Sequence, residues 1–301
     1  MPIHLLGTID KLQKRMDLLK IFHYYGGDFY LYITITKFFP KNHRIVEVFG
    51  GSGVISLNHP NAYVWNDKDV MIYRVFRAVM LHPERVVEHV QRYYPKQVDN
   101  EYLKQYIAQL DKILLRNTTK HIYDIDPYEL AGIFIIRSHF ALKGFGNAWV
   151  KGNRVTSLKT IVKRIKLISL KLRKLTLLNN DFEEVIKRFD TKNNILFYMD
   201  PPWYEYTLGR EDDKTYQLGM SMRDWKRFFD LLGEIKNRVF IKHLWSTKFL
   251  ARLPKERDWY VVKLSVKAQT SKTYTSWMFV MNYKPDISLK QSQNNLLNFL
   301  N

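Results

Sequence analysis

The stretch RIVEVFGGSG, residues 44–53, is a short apolar run that ends on a glycine-rich turn. A second short apolar run, AYVWND at residues 62–67, ends on an acidic residue. Residues 68–80 then carry apolar side chains at the 3.6-residue period of a helix. The order strand, glycine loop, helix, strand, helix predicts parallel strands joined by helical crossovers.

The same alternation resumes near residue 173. Further strand-like runs follow at residues 175–180, 194–200, 238–244, 258–266 and 276–283. Helical patterns separate most of these runs, but no convincing helix separates the last two, which we expect to pair antiparallel. We therefore predict an α/β fold, with helices on both faces of a mixed sheet that has an antiparallel end strand.

A basic segment lies between the two α/β parts. Its first half, residues 83–125, has helical patterns, and residues 157–174 predict a very basic helix. We predict a mainly helical basic insert in an otherwise continuous sheet. The resulting division is a first catalytic part at 1–81, the insert at 82–172, a second catalytic part at 173–285 and a flexible tail at 286–301.

The charge balance points to a polyanionic partner. The 301-residue chain has 48 Lys and Arg against 29 Asp and Glu, which gives a formal charge of +19. Such an excess of basic side chains would serve to neutralise the phosphate groups of a nucleic acid. A basic protein without a nucleic-acid partner is the alternative. The absence of cysteine excludes disulfides, thiolate metal sites and thiol nucleophiles. With no apolar run near the roughly twenty residues of a membrane span, we expect a cytoplasmic protein.

The glycine loop after the first of these strands is a candidate cofactor site. Gly50, Gly51 and Gly53 allow a sharp turn and close approach of a ligand. The spacing is not G-x-G-x-x-G, and no Lys-Ser/Thr follows, which argues against dinucleotides, and so a nicotinamide oxidoreductase, and against nucleoside triphosphates. S-adenosylmethionine, which carries no phosphate, is then the commonest candidate. A tight turn without any ligand is the structural alternative.

Two acidic residues are expected where strands meet helices. Asp67 would accept hydrogen bonds from ribose hydroxyls or cap the helix that begins near Lys68. Asp181 would cap the next helix, or accept a hydrogen bond from an adenine amine with Phe182 against the ring. The sequence leaves these alternatives open.

The stretch NILFYMDPPWYEYT, residues 194–207, delivers Asp200 to the carboxyl edge of the sheet. An aromatic amine is a poor nucleophile, and two acceptors aimed at its hydrogens would stabilise the positive charge that develops during attack. Asp200 and the Pro201 carbonyl supply such a pair, and the prolines fix the backbone. Trp203 offers a face for stacking a flipped base. This chemistry requires no metal, and the alternative is a proline-terminated strand with a structural Trp.

These motifs together resemble the Dam-type DNA adenine-N6 methyltransferases. The resemblance spans about residues 22–284. In chain order it rests on YYGGD (24–28), VEVFGGSG (46–53), Asn66-Asp67, IIRSHFALKGFGN (135–147), Asp181-Phe182, Asp200-Pro201-Pro202-Trp203 and MFVMNY (278–283).

The resemblance implies a Rossmann-like methyltransferase sheet with an inserted target-recognition domain. It implies methyl transfer from S-adenosylmethionine to the N6 amine of a flipped adenine in DNA. Cofactor-binding residues would be Tyr24, Tyr25, Gly26, Asp28, Phe49, Gly50, Gly51, Ser52, Gly53, Asp67, Asp181 and Phe182. Catalytic residues would be Asp200, Pro201, Pro202 and Trp203, with Tyr204 or Tyr206 also against the base. Nucleic-acid contacts would come from Arg137, Lys143, Asn147, Lys151 and Arg154, mostly to phosphates.

Two positions depart from the family pattern. Asp28 stands where the family has Lys, which reverses a charge near the cofactor. Trp203 stands where Tyr is usual, a form that also occurs in RNA adenine methyltransferases. The alternatives are therefore adenine methylation in RNA and a nucleic-acid-binding relative without catalysis. We expect a monomer that acts on duplex DNA, alone or beside a restriction nuclease.

Overall fold

The computed structural model describes residues 3–9, 18–22, 28–119, 125–141, 156–204, 219–267 and 274–286. The strands are β1 Ile3–Ile9, β2 Arg44–Glu47, β3 Ala62–Asn66, β4 Thr176–Leu178, β5 Ile195–Met199, β6 Arg238–Leu244, β7 Tyr260–Lys267 and β8 Tyr274–Met281. They form one sheet in the order β1-β7-β8-β6-β5-β2-β3-β4.

The sheet is parallel apart from its last strand in chain order. β8 runs antiparallel to both of its neighbours, β6 and β7, and every other described pair is parallel. This arrangement confirms the predicted α/β class with a mixed sheet. β1 was not predicted as a strand, and it pairs in parallel with β7.

Helices connect the strands and form the segment between β3 and β4. They are α1 Tyr32–Thr36, α2 Val54–Asn58, α3 Val70–Leu81, α4 Pro83–Arg92, α5 Asn100–Thr119, α6 Pro127–Phe140, α7 Leu158–Leu172, α8 Phe182–Asp190, α9 Met222–Glu234 and α10 Thr247–Leu250. None of the described helices has the length and apolar character that a membrane crossing requires.

Helices cover both faces of the sheet. Alternate residues of β5 belong to two different core clusters. Phe197 packs with side chains of α8 and α9, whereas Tyr198 packs with side chains of α1 and of the loop after α1. All five residues of β5 are buried, as expected for a central parallel strand. This alternation places Tyr198 and Asp200 on one face of the sheet.

The segment predicted as a helical insert is helical in its described parts. Helices α4 to α7 share one core cluster with α3 and with Trp65 of β3. The division into domains stays a prediction. Residues 142–155 of the segment, and residues 287–301 of the predicted tail, lie outside the described residues.

Candidate active site

The strand register brings the predicted motifs to one edge of the sheet. β2 and β5 are parallel neighbours with Glu47 opposite Tyr198, and the Val48 N–H donates to the Tyr198 carbonyl at 3.0 Å. The loops that follow the two strands therefore leave at the same edge. β3, which precedes Asp67, lies on the other side of β2. The glycine loop thus lies between Asp67 and Asp200.

The glycine loop is specified by backbone conformation and by packing. Gly51 and Gly53 have φ values of 47° and 67°, in the left-handed region that favours glycine. A Cβ on Gly50 would lie 2.1 Å from the indole nitrogen of Trp65. Trp65 is fully buried and stacks on Phe76, with ring centroids 4.4 Å apart. The turn therefore requires glycine at Gly50 for a steric reason and at the other two positions for a conformational one.

Asp67 ties this loop to the end of β3. Its Oδ2 accepts the Gly51 N–H at 2.7 Å and its Oδ1 accepts the Asp69 N–H at 2.8 Å. The helix cap is a different residue, because Asp69 accepts the N–H groups of Met71 and Ile72 at the start of α3. Burial raises the pKa of Asp67 to about 6, although these hydrogen bonds oppose the rise. Each carboxylate oxygen keeps a further lone pair for a ligand hydroxyl.

Asn66 joins two of the loops at this edge, a role that the sequence did not reveal. Its side-chain amide donates to the Val48 carbonyl at 2.9 Å and to the Asn180 carbonyl at 3.1 Å. Its carbonyl oxygen accepts the Asn180 N–H at 2.9 Å. The β4–α8 turn is therefore held against the loop after β2.

Asp181 caps α8, which confirms one of its predicted alternatives. Its carboxylate accepts the Glu183 N–H at 3.1 Å and two Arg227 nitrogens at 3.1 and 3.2 Å. Burial alone would raise the pKa of Asp181, but the hydrogen bonds and charge of Arg227 outweigh it and lower the pKa. Beside it, Phe182 stacks on Phe49 with ring centroids 5.7 Å apart.

Asp200 lies in a network of charged and polar side chains. Lys242 of β6 donates to Asp200 Oδ2 at 2.6 Å and to Asp28 Oδ1 at 2.5 Å. The Tyr198 hydroxyl donates to the other oxygen of Asp28 at 2.6 Å. Because β5 and β6 are parallel neighbours with Met199 opposite Ile241, their next residues lie side by side. The network thus joins two strands to the turn at Asp28.

The protonation equilibria of this network reflect burial and mutual charge. Burial raises the pKa of Asp200 to about 7; the charge of Asp28 adds to the rise and that of Lys242 opposes it. Burial would lower the pKa of Lys242, but its two carboxylate partners raise it. Burial also raises the pKa of Glu47 to about 8, with smaller effects of Asp28 and Asp200. Two carboxylates therefore contact one ammonium, and the charges of both act on a third carboxyl group, that of Glu47.

The rest of the tetrad is packed into the protein. Pro201 and Trp203 are buried, and Trp203 meets Trp277 edge to face at 5.9 Å. Tyr204 is buried in the core with Trp225 and Phe249 rather than open to a ligand. This placement argues against the predicted contact of Tyr204 with the base, and Tyr206 lies outside the described residues.

His243 fixes the backbone that follows the tetrad. Its Nε2 accepts the Tyr204 N–H at 2.8 Å, so the ring's proton is on Nδ1, which donates to the Leu244 carbonyl at 2.7 Å. Burial lowers the pKa of His243 to about 4. The ring is therefore neutral at physiological pH and serves as a structural acceptor.

The predicted nucleic-acid contacts are only partly described. Arg137 is buried, with its Nε 2.7 Å from Asp111 Oδ1. This pair joins α6 to α5 and argues against the predicted contact of Arg137 with phosphate. The predicted residues outside the described ranges are Tyr24, Tyr25, Gly26, Lys143, Asn147, Lys151 and Arg154.

A family model described as D12 class N6 adenine-specific DNA methyltransferase matches residues 24–272. The chain belongs to this family. The D12-class enzyme is thus an adenine-specific DNA methyltransferase, which confirms the predicted resemblance. The match covers the loops that carry Asp28, Asp67, Asp181 and Asp200. No curated protein matches the chain.

Two charged residues of the D12-class enzyme's site were not predicted from the sequence. One feature of the sequence could have indicated Lys242: it is the single lysine in the largely apolar run RVFIKHL, at a position that the strand buries. Arg227 had no such signal, because a cation on an amphipathic helix usually faces solvent. Its partner Asp181 is 46 residues away in the chain.

Proposed function

We propose that this D12-class methyltransferase transfers a methyl group from S-adenosylmethionine to the N6 amine of an adenine flipped out of duplex DNA. One observation carries the proposal. The Asp200 carboxylate, 18% exposed, lies at the carboxyl edge of β5, beside the strand that carries the glycine loop. An amine held there would lie next to a cofactor bound by that loop.

The side chains at this edge suit S-adenosylmethionine. The cofactor carries a sulfonium cation, and when Asp200 is ionised the two carboxylates that contact Lys242 leave one net negative charge at this edge. Asp67 is half-buried and retains acceptor capacity for ribose hydroxyls. Phe49, which is partly exposed and stacks on the buried Phe182, offers an apolar surface for an adenine ring. When bound, the cofactor supplies an electrophilic methyl group.

The tetrad prepares the substrate amine. The Asp200 carboxylate and the Pro201 carbonyl accept its two hydrogens, which draws the nitrogen toward a tetrahedral shape and exposes its lone pair. The same acceptors stabilise the positive charge that develops on nitrogen as the new bond forms. After transfer the nitrogen is positively charged and strongly acidic, so its surplus proton would pass to the Asp200 carboxylate or to water, and a strong base is not required. The flipped base would lie beside Trp203, whose ring is held by Trp277.

The helical segment supplies an electrostatic surface for DNA. Residues 158–174, which include α7, contain no acidic residue. The basic side chains exposed along them are Lys159, Lys163, Lys166, Lys171, Arg173 and Lys174. Such a surface suits phosphate contacts, which supply affinity without reading bases. We assign base reading to the predicted target-recognition insert at 82–172.

Expression in cells whose DNA lacks N6-methyladenine tests this function. Sequencing of their genomic DNA should reveal N6-methyladenine within one short recognition sequence, and cells with Asp200→Asn should lack it. In vitro, a DNA duplex should be methylated in preference to an RNA hairpin of the same sequence. Unmethylated DNA together with a methylated hairpin would overturn the assignment to DNA.

A further inference from the structure

We propose that Lys242 is a positioning residue that fixes the orientation and charge of the Asp200 carboxylate by bridging it to Asp28. The inference rests on the proposed catalytic role of Asp200. Lys242 does not touch the substrate in this account, because its side chain is fully buried whereas that of Asp200 is partly exposed. It acts through its partner.

The geometry leaves Lys242 few alternatives. A buried ammonium is unfavourable unless it is paired and hydrogen-bonded. Two of its contacts are the carboxylates of Asp28 and Asp200, at 2.5 and 2.6 Å. Asp28 is itself fixed by the hydroxyl of Tyr198, which lies on β5 two residues before Asp200. The contacts therefore run from β5 through Asp28 and Lys242 to the residue that directly follows β5, which fixes the direction of the Asp200 carboxylate.

The pairing also accounts for the reversed charge at residue 28. Asp28 stands where the resemblance to the family implies a lysine, and Lys242 supplies a positive charge from β6. The two side chains are in contact, so a lysine at position 28 would extend toward the site that the Lys242 ammonium occupies. Moving the positive charge from residue 242 to residue 28 is therefore a direct test.

Buried ion pairs often add little to stability, so stability alone does not explain the arrangement. The functional consequence concerns the ionisation of Asp200. The described titratable groups that act on it or respond to its charge are Lys242, Asp28, Glu47 and Tyr198. Of these, Lys242 lowers the pKa of Asp200 and Asp28 raises it. Removing the charge of Lys242 should therefore raise the pKa of Asp200, and removing the charge of Asp28 should lower it.

The test compares Lys242→Met, Lys242→Arg, Asp28→Asn and the double variant Asp28→Lys/Lys242→Ser with the wild-type protein. Two readouts are used: the pH profile of single-turnover methyl transfer, and titration of the Asp200 carboxyl carbon by NMR. Lys263→Met on β7 is the matched control. Lys263 lies over the Trp245 ring at 4.4 Å.

We expect Lys242→Met to raise the pKa of the Asp200 carboxyl group by about 1–3 units, because a nearby opposite charge usually lowers a pKa by that amount. Transfer at neutral pH should fall about 10-fold or more. Lys242→Arg should leave the pKa of Asp200 at its wild-type value, and Asp28→Asn should lower that pKa. The double variant should recover part of the methyl transfer that Lys242→Met loses. Lys263→Met should behave as wild type.

Unchanged titration of Asp200 in Lys242→Met would overturn the inference. If that variant does not fold, Lys242→Gln decides: an upward shift in the pKa of Asp200 supports the inference, and an unchanged pKa contradicts it. If the wild-type protein transfers no methyl group, the proposed function fails, but the NMR titration still tests the role of Lys242. The two failures are thus distinguishable.

Discussion

The Gly51 backbone N–H donates to Asp67 Oδ2 at 2.7 Å, which makes the glycine loop and the acid after β3 one structural unit. We predict that Asp67→Ala weakens binding of S-adenosylmethionine by about 10- to 100-fold, the usual effect of losing a hydrogen bond to a charged group. Both the loop geometry and the ribose acceptor would be lost. Calorimetric titration with the cofactor measures the change.

Asp69→Asn is the control for this variant, because asparagine also caps helices well. Cofactor affinity should then stay within about 2-fold of the wild type. Wild-type affinity in Asp67→Ala would mean that the cofactor does not use this side chain.

Gly50→Ala should destabilise the fold. The new Cβ would lie 2.1 Å from the Trp65 indole nitrogen, and Trp65 is packed against Phe76 with no room to move. We expect a loss of about 3 kcal/mol in the free energy of unfolding, the upper end of the usual cost of overpacking. Urea denaturation measures it.

Gly233→Ala in α9 is the matched substitution. Its Cβ would meet Pro254 at an ordinary contact distance of 3.7 Å. Alanine is the better helix former, so this variant should gain up to about 1 kcal/mol. Equal stability of the two variants would contradict the packing account of the glycine loop.

The pH dependence of methyl transfer should show an acid limb near neutrality. The pKa of Asp200 is raised to about 7, and in the proposed mechanism only its ionised form is the full acceptor. Turnover should therefore fall about 10-fold per pH unit below that value and level off above it. His243, with its pKa lowered to about 4, does not titrate in this range. A rate independent of pH between about 5.5 and 8 would contradict the assignment.

DNA binding should depend on the exposed face of α7. Lys163→Gln/Lys166→Gln should weaken binding at every duplex sequence and reduce the slope of log affinity against log salt by about 0.9 for each lost phosphate contact. Fluorescence anisotropy at several salt concentrations measures the slope. Lys226→Gln on α9, where the lysine pairs with Asp230, is the control. An unchanged slope in the α7 variant would place the DNA elsewhere.

The sequence was sufficient for features that follow from local pattern. The run 44–67 predicted strand, glycine loop and strand, and the Asp200 tetrad was expected at the carboxyl edge because parallel strands end together. Contacts between distant parts of the chain were not predictable. Asp28 and Lys242 are 214 residues apart; Asp28 is hydrogen-bonded to Tyr198 of β5, and Lys242 lies on the neighbouring strand β6.

Burial also changed the interpretation of single residues. Arg137 was predicted to contact phosphate because it lies in the basic stretch 135–147 that resembles the family's target-recognition region, but α6 is buried and its arginine pairs with Asp111. Tyr204 follows the tetrad directly, yet its ring enters the core. Residue type indicates which contacts are available, and packing decides which of them form.

The most direct test of the central claim is single-turnover transfer of a labelled methyl group from S-adenosylmethionine to a target duplex, with wild-type protein, Asp200→Asn and the control Asp230→Asn. We predict that Asp200→Asn slows transfer by about 100- to 1,000-fold, the usual loss when one charge-stabilising group is removed. Its cofactor affinity should stay within a few-fold of wild type, and the exposed Asp230 variant should transfer normally. Transfer by Asp200→Asn at the wild-type rate would show that this carboxylate does not prepare the amine.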